Sequence, residues 1–246
     1  MLKSFLLAFS TLTIIPIPYT LYEDADGKRA SYFFPLAGLL IGALISLVGA
    51  LSVKFFSIEC TALLVLFFSI YLSRAFHLDG FADCADAFWS SRSKEKKVEI
   101  MKDSRIGVMG VVALIFLLGA KFLFICEIIS RQEALFYLLL FPFCGRCSMN
   151  FHMLMINPVE KGLGTFFWNS KTAYLSLAFL LVISAVFLSW QKSLIIFLIL
   201  VLVAVFWSIY VRNNVEKGNG DSLGASCEWG ELFFLFCAAE LFPYVP

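Results

Sequence analysis

Charge is scarce in this 246-residue chain. Only 15% of its residues are Asp, Glu, Lys or Arg, against about 25% in ordinary soluble domains. With 61% hydrophobic residues and 28 Phe, and with apolar runs of bilayer-spanning length recurring along it, the chain is not a soluble globule. A disulfide framework is excluded as well. The seven Cys are odd in number and scattered, most of them in or beside apolar segments, where Cys acts as a small hydrophobe. Cys144 and Cys147 form a CxxC, but no second pair completes a zinc site. No small-x-small cleavage site follows the apolar run 1–18, which Pro16 and Pro18 end; it reads as an interfacial or re-entrant helix. No Ser/His/Asp or Cys/His arrangement asks for a covalent intermediate. No domain boundary, soluble domain or convincing repeat interrupts the chain. The net charge of +1 points to no nucleic-acid partner.

The expected fold is all-α: one integral membrane domain over residues 1–246, with about six full spans and short interfacial or re-entrant helices at the ends. The spans are expected from Ser31 to about Phe56, then near 60–76, 108–129, 133–156, 173–190 and 193–211. Gly38 and Gly42 have the GxxxG spacing of close helix contact. Polar loops are expected at 157–172 and from Arg212 to Glu231, and a short apolar segment at 232–246. These spans divide the basic residues unequally. One set of loops carries 14 Lys and Arg, the other only Lys54, Arg131 and Lys192. The richer set is therefore expected to face the cytoplasm, and the three longest polar stretches share that face. Lys121 and Arg146 remain inside spans.

A polar island runs from Arg74 to Gly110. Within it Asp79, Asp83 and Asp86 are spaced by four and three residues, which on a helix places them within about 60° of arc; Phe81 and Phe88 take the opposite face. Such carboxylates repel unless a cation sits among them, and an oxygen-only set suits Mg²⁺ or Mn²⁺. A solvated acidic face is the plainer alternative. Glu99 and Asp103 follow a basic run and can close a second side. His77 precedes the acids and either orients a carboxylate or phosphate or snorkels at the interface. Lys102, Ser104 and Arg105 bring two cations and a hydroxyl beside these acids, as a diphosphate requires. Lys94, Lys96 and Lys97 suit anionic lipid. In GNGDSLGA, Gly220 and its neighbours let backbone N–H groups approach a phosphate, Ser222 adds a hydroxyl, and Asp221 can serve as metal ligand or base. This stretch lacks the Walker lysine and on its own is a turn. Arg146, costly in a span unless paired, either binds phosphate or meets an acid. The Lys161-Gly162-Leu163-Gly164 loop is flexible and lid-like.

HLDGFADCADAF, EIMKDSRIGVMG and GNGDSLGA, in this order on a polytopic chain, resemble the cobalamin synthase family. FLLAFSTLTIIPIP, YFFPLAGLLIG, and Arg146 followed by KGLG agree with it, so the likeness covers nearly the whole chain. The resemblance implies an adenosylcobinamide-GDP ribazoletransferase, which joins adenosylcobinamide-GDP to α-ribazole or its 5′-phosphate and releases GMP. It further implies Mg²⁺ dependence, a bacterial or archaeal cell (inner) membrane, and as protein partners either a second copy or other cobamide-assembly enzymes. Under that chemistry Asp79, Asp83 and Asp86, with Glu99, hold Mg²⁺. Lys102, Ser104, Arg105, Arg146, Gly220 and Ser222 bind substrate, and Asp103, Asp221 and His77 are the catalytic candidates, with Asp103 and Asp221 equal as base. Two other classes compete. DGFADCAD begins like the CDP-alcohol phosphotransferase signature but lacks its Arg and its later Gly-x3-Asp-x3-Asp. A transporter favours acids within spans and pseudo-symmetric halves.

Overall fold

The computed structural model describes residues 1–16 and 24–242. Pro18, Glu23 and the last four residues of the C-terminal apolar segment lie outside these. The fold is all-α, as expected. It comprises α1 (Leu2–Leu12), α2 (Asp24–Ala30), α3 (Phe34–Ser52), α4 (Ile58–Leu72), α5 (Phe76–Phe88), α6 (Lys94–Ile100) and α7 (Val108–Ile129). These are followed by α8 (Ala134–Met155), α9 (Leu163–Phe167), α10 (Thr172–Phe187), α11 (Trp190–Val215) and α12 (Gly220–Phe236). Local signals start several of them: Pro35 opens α3, and Ser57 and Ser189 accept from the backbones of Cys60 and Lys192 as N-caps.

The span count differs from the expected six. Among the described residues four helical runs are long and apolar enough to cross a membrane: Ala25–Ser52, Val108–Ile129, Ala134–Met155 and Trp190–Val215. A fifth crossing is broken, because α4 and α5 meet at 90°. α4 alone has 15 residues and α10 has 16, about 22–24 Å at 1.5 Å per residue, short of a 30 Å hydrocarbon core. The expected loop from Arg212 to Glu231 is mostly helix: α11 runs on to Val215 and α12 begins at Gly220.

α8 is the central pillar, buried at every residue from Leu140 to Met153. α3 lies against it through the GxxxG pair. A Cβ on Gly42 would overlap the Leu139 carbonyl, and one on Gly38 the Pro142 carbonyl. α12 packs on the other side, between α8 and α5. Its polar residues are satisfied there. Lys121 Nζ on α7 donates to Glu228 Oε2 and Glu231 Oε2, each at 2.6 Å, and Arg146 on α8 donates to Glu231 Oε1. Two cations and two carboxylates thus neutralise one another and tie three helices together, the only tolerable arrangement for charge at that depth. Arg131 donates to the carbonyls of Ala238 and Phe242 and Lys192 pairs with Glu133, so the α7–α8 and α10–α11 turns share one end of the bundle with the end of α12.

Candidate active site

The loops around α6, before α9 and before α12 converge at the opposite end. Pro158 and Gly218 form a backbone bridge, with Val159 N donating to Gly218 O and Gly218 N to Asn157 O, both at 2.9 Å. Lys94 pairs with Glu216 at 3.0 Å, and Lys97 Nζ donates to Asn214 Oδ1 at 2.7 Å. The three polar stretches are therefore close in space.

α5 carries the acids as its periodicity foretells. From His77 to Phe88 only Asp79, Asp83 and Asp86 escape burial. The three then separate in role. Asp86 accepts from the backbone N–H of Gly107 at 2.7 Å and of Gly110 at 2.8 Å, anchoring the positive N-terminus of α7. A Cβ on Gly107 would sit inside the Asp86 carboxylate, so the glycines of RIGVMG make room for it. Asp79 faces the start of α12. Gly80 lets the two helices touch there, since a Cβ at Gly80 would lie 2.7 Å from Asp221 Cα. α12 begins with a capping box in which Asn219 Oδ1 accepts from Ser222 N and Ser222 Oγ accepts from Asn219 N, both at 2.9 Å. Asn219 Nδ2 also donates to Asp221 Oδ2 at 2.9 Å. Burial, and then the nearby Asp79 charge, push the Asp221 carboxyl up to about 6.

Asp79 and Asp221 open on one cavity of about 350 Å³. Lys102, Lys161 and Lys217 line it, together with the backbone of Gly162, Gly164 and Gly220. Phe34, Phe76 and Phe167 supply apolar wall. Acids, cations and backbone N–H groups around one hollow suit a diphosphate. Among the described residues no three His, Cys, Asp or Glu converge on one ion position.

A family model described as "Cobalamin-5-phosphate synthase" matches residues 4–239. The chain belongs to the cobalamin-5-phosphate synthase family. It is 36% identical over 240 residues to the adenosylcobinamide-GDP ribazoletransferase of Caldanaerobacter subterraneus subsp. tengcongensis, covering 94% of this chain and 95% of that one. It is 33% identical over 243 residues to the enzyme of the same name from Thermoanaerobacter sp. (strain X514), with 96% of each covered. With that of Klebsiella pneumoniae (strain 342) it shares 32% over 248 residues, 96% of this chain and 98% of the relative. No solved structure matches.

The other expected residues of this family member fall as follows. Lys102, Gly220 and Asp221 reach the cavity. Asp103 and Arg105 turn on each other instead, Oδ2 to Nη2 at 2.7 Å, and the guanidinium holds the Asp103 carboxyl down at about 2. Ser104 is exposed beside them. Glu99 pairs with Lys96 at 2.5 Å on the outer face of α6. Ser222 is fully buried in its cap and also meets His152 Nε2 at 3.1 Å. His77 is 2% exposed, with its backbone against Gly224, so it lies beneath the acids rather than among them. Arg146 takes the acidic partner, Glu231, and not the cavity. Lys161 and Lys217 are cavity cations that the charge reading left as loop residues. A signal for them exists. Asn157–Gly164 reads NPVEKGLG and Asn213–Gly220 reads NNVEKGNG, a short repeat whose two copies meet at the Pro158–Gly218 bridge.

Proposed function

We propose that this protein is an adenosylcobinamide-GDP ribazoletransferase acting at the cytoplasmic face of a bacterial or archaeal cell membrane. The observation that carries the reading is the single cavity shared by Asp79, Asp221, Lys102, Lys161 and Lys217. The names of the relatives support the substrates, and the 14-to-3 distribution of Lys and Arg supports the cytoplasmic side.

The diphosphate of adenosylcobinamide-GDP lies among the three lysines, which offset its charge and fix it for in-line attack. Asp221 accepts the proton of the ribazole hydroxyl as its oxygen bonds to the cobinamide-side phosphorus. Of the two acids first considered for this role, only Asp221 opens on the cavity. The bond from that phosphorus to the GMP oxygen breaks, and GMP leaves with the electron pair, its charge taken up by the lysines. Asp79, with Asp83 beside it on α5, would hold Mg²⁺, which supplies charge neutralisation at the diphosphate. The backbone amides near Gly162 and Gly220 orient phosphate oxygens.

The test is GMP release by the purified protein from adenosylcobinamide-GDP and α-ribazole 5′-phosphate, with and without Mg²⁺. Mg²⁺-dependent release that needs both substrates is expected. Absence of release in detergent and in lipid nanodiscs alike removes the reading.

A further inference from the structure

Arg74 sits at the break between α4 and α5, where it and Ala75 both have left-handed backbone, φ 55° and 54°. Two consecutive non-glycine residues in that region are strained. The turn is held by Ala75 N donating to Ile70 O at 3.0 Å and Arg74 N to Tyr71 O at 3.1 Å. The break sets Arg74 on the wall of a second cavity of about 340 Å³, which Leu7, Thr11, Phe76, Leu163, Phe166 and Phe167 complete. Thr11, Phe76, Leu163 and Phe167 also line the cavity of Asp79 and Asp221, so the two hollows are contiguous. Arg74 is exposed, and its guanidinium meets no acid among the described residues.

The two hollows differ in chemistry. Thr11, Phe76 and Phe167 belong to both; the first adds Asp79, Asp221 and three lysines, whereas the second adds Arg74 and Phe166 and, among the described residues, has no acid. Phe rings receive a flat heteroaromatic base, and an unpaired guanidinium takes a phosphate monoester in bidentate fashion. The volume is that of a small ligand pocket. We propose that this side cavity binds the nucleoside substrate as its monophosphate, the base against Phe76 and Phe166 and the phosphate on Arg74. Arg74 then sets the preference for the phosphorylated over the free nucleoside. The identity of the nucleoside rests on the ribazoletransferase reading; the chemistry of the subsite does not. The strained break turns a cation toward a hollow that has no other among its described lining residues.

The test measures binding and turnover separately. Calorimetric titration of α-ribazole 5′-phosphate and of α-ribazole into the full-length protein in phosphatidylcholine nanodiscs, without corrinoid, reads the subsite. The wild type binds the phosphate roughly ten- to a hundredfold more tightly, the worth of lost charge-assisted bonds. Arg74→Gln removes that gap and leaves the free nucleoside unchanged. Phe166→Ala weakens both alike. Should Arg74→Gln prove unstable, Arg74→Lys serves, since it keeps the charge without the fork and loses severalfold for the phosphate only. Equal affinities in the wild type, or equal losses for both ligands in the Arg74 variant, overturn the subsite. So does a wild-type gap that vanishes in phosphatidylglycerol nanodiscs, which would assign Arg74 to a lipid phosphate. Arg74-dependent binding without GMP release keeps the subsite and removes the ribazoletransferase reading. GMP release with Arg74-independent binding does the reverse.

Discussion

The contact between α5 and α12 turns on a missing methyl group. Gly80→Ala would place a Cβ 2.7 Å from Asp221 Cα and 2.8 Å from Asp221 O. Ordinary contact begins near 3.4 Å, so the two backbones must part by about 0.6–0.7 Å. The obstacle is backbone, which cannot swing aside as a side chain does. Two effects on stability oppose each other. Alanine favours the helix by about 1 kcal/mol, and overpacking costs about 1–3 kcal/mol. The net loss is therefore about 0–2 kcal/mol, and the protein remains folded. Under the proposed function catalysis suffers more, because Asp79 and Asp221 would act on one substrate from the two separated helices. A displacement near 1 Å costs on the order of a hundredfold. GMP release under saturating substrates should show kcat lowered by about that factor, with KM changed little. A variant with kcat within about threefold of wild type, and a higher melting temperature, would refute the claim that this contact sets the site.

Other substitutions separate the roles of residues that look alike in the sequence. Asp79→Asn should lower turnover by more than about a hundredfold with little loss of stability, whereas Asp86→Asn should lower the melting temperature, at about 1–2 kcal/mol, with the smaller loss of turnover. Equal kinetic defects would return Asp86 to the metal set. Lys161→Ala and Lys217→Ala should each raise KM for adenosylcobinamide-GDP roughly tenfold; unchanged KM in both would place the diphosphate elsewhere. Lys121→Met leaves two buried carboxylates with only Arg146, and should destabilise the detergent-solubilised protein by about 3–5 kcal/mol. Adding Glu228→Gln should restore part of that loss; a double variant less stable than Lys121→Met contradicts the neutral network.

The acid stripe of α5 was legible because helical period and polarity agree there: the three acids are the open positions among buried neighbours. GNGDSLGA was legible as a glycine turn with a placed acid, and it proves to be a helix N-cap. Glu228 and Glu231 misled, since acids within 17 residues of helix read locally as loop. Lys121 and Arg146 neutralise them from more than 80 positions away, and nothing local announces such a pairing. Asp103 and Arg105 pair with each other and do not line the cavity. Adjacent opposite charges look like site chemistry, yet at that spacing they satisfy each other in solvent. The break at Arg74 carries no glycine or proline to mark it, so a straight second span was the natural expectation.

In the proposed function Asp79 and Asp221 act as one site from two helices. A double-mutant cycle on GMP release, with Asp79→Asn, Asp221→Asn and the pair, tests this directly. Residues that act as a unit are strongly non-additive. Each single variant should lose more than about a hundredfold in kcat, and the pair should be no worse than the weaker single. Losses that multiply, or near-normal turnover in either single variant, would contradict a shared site.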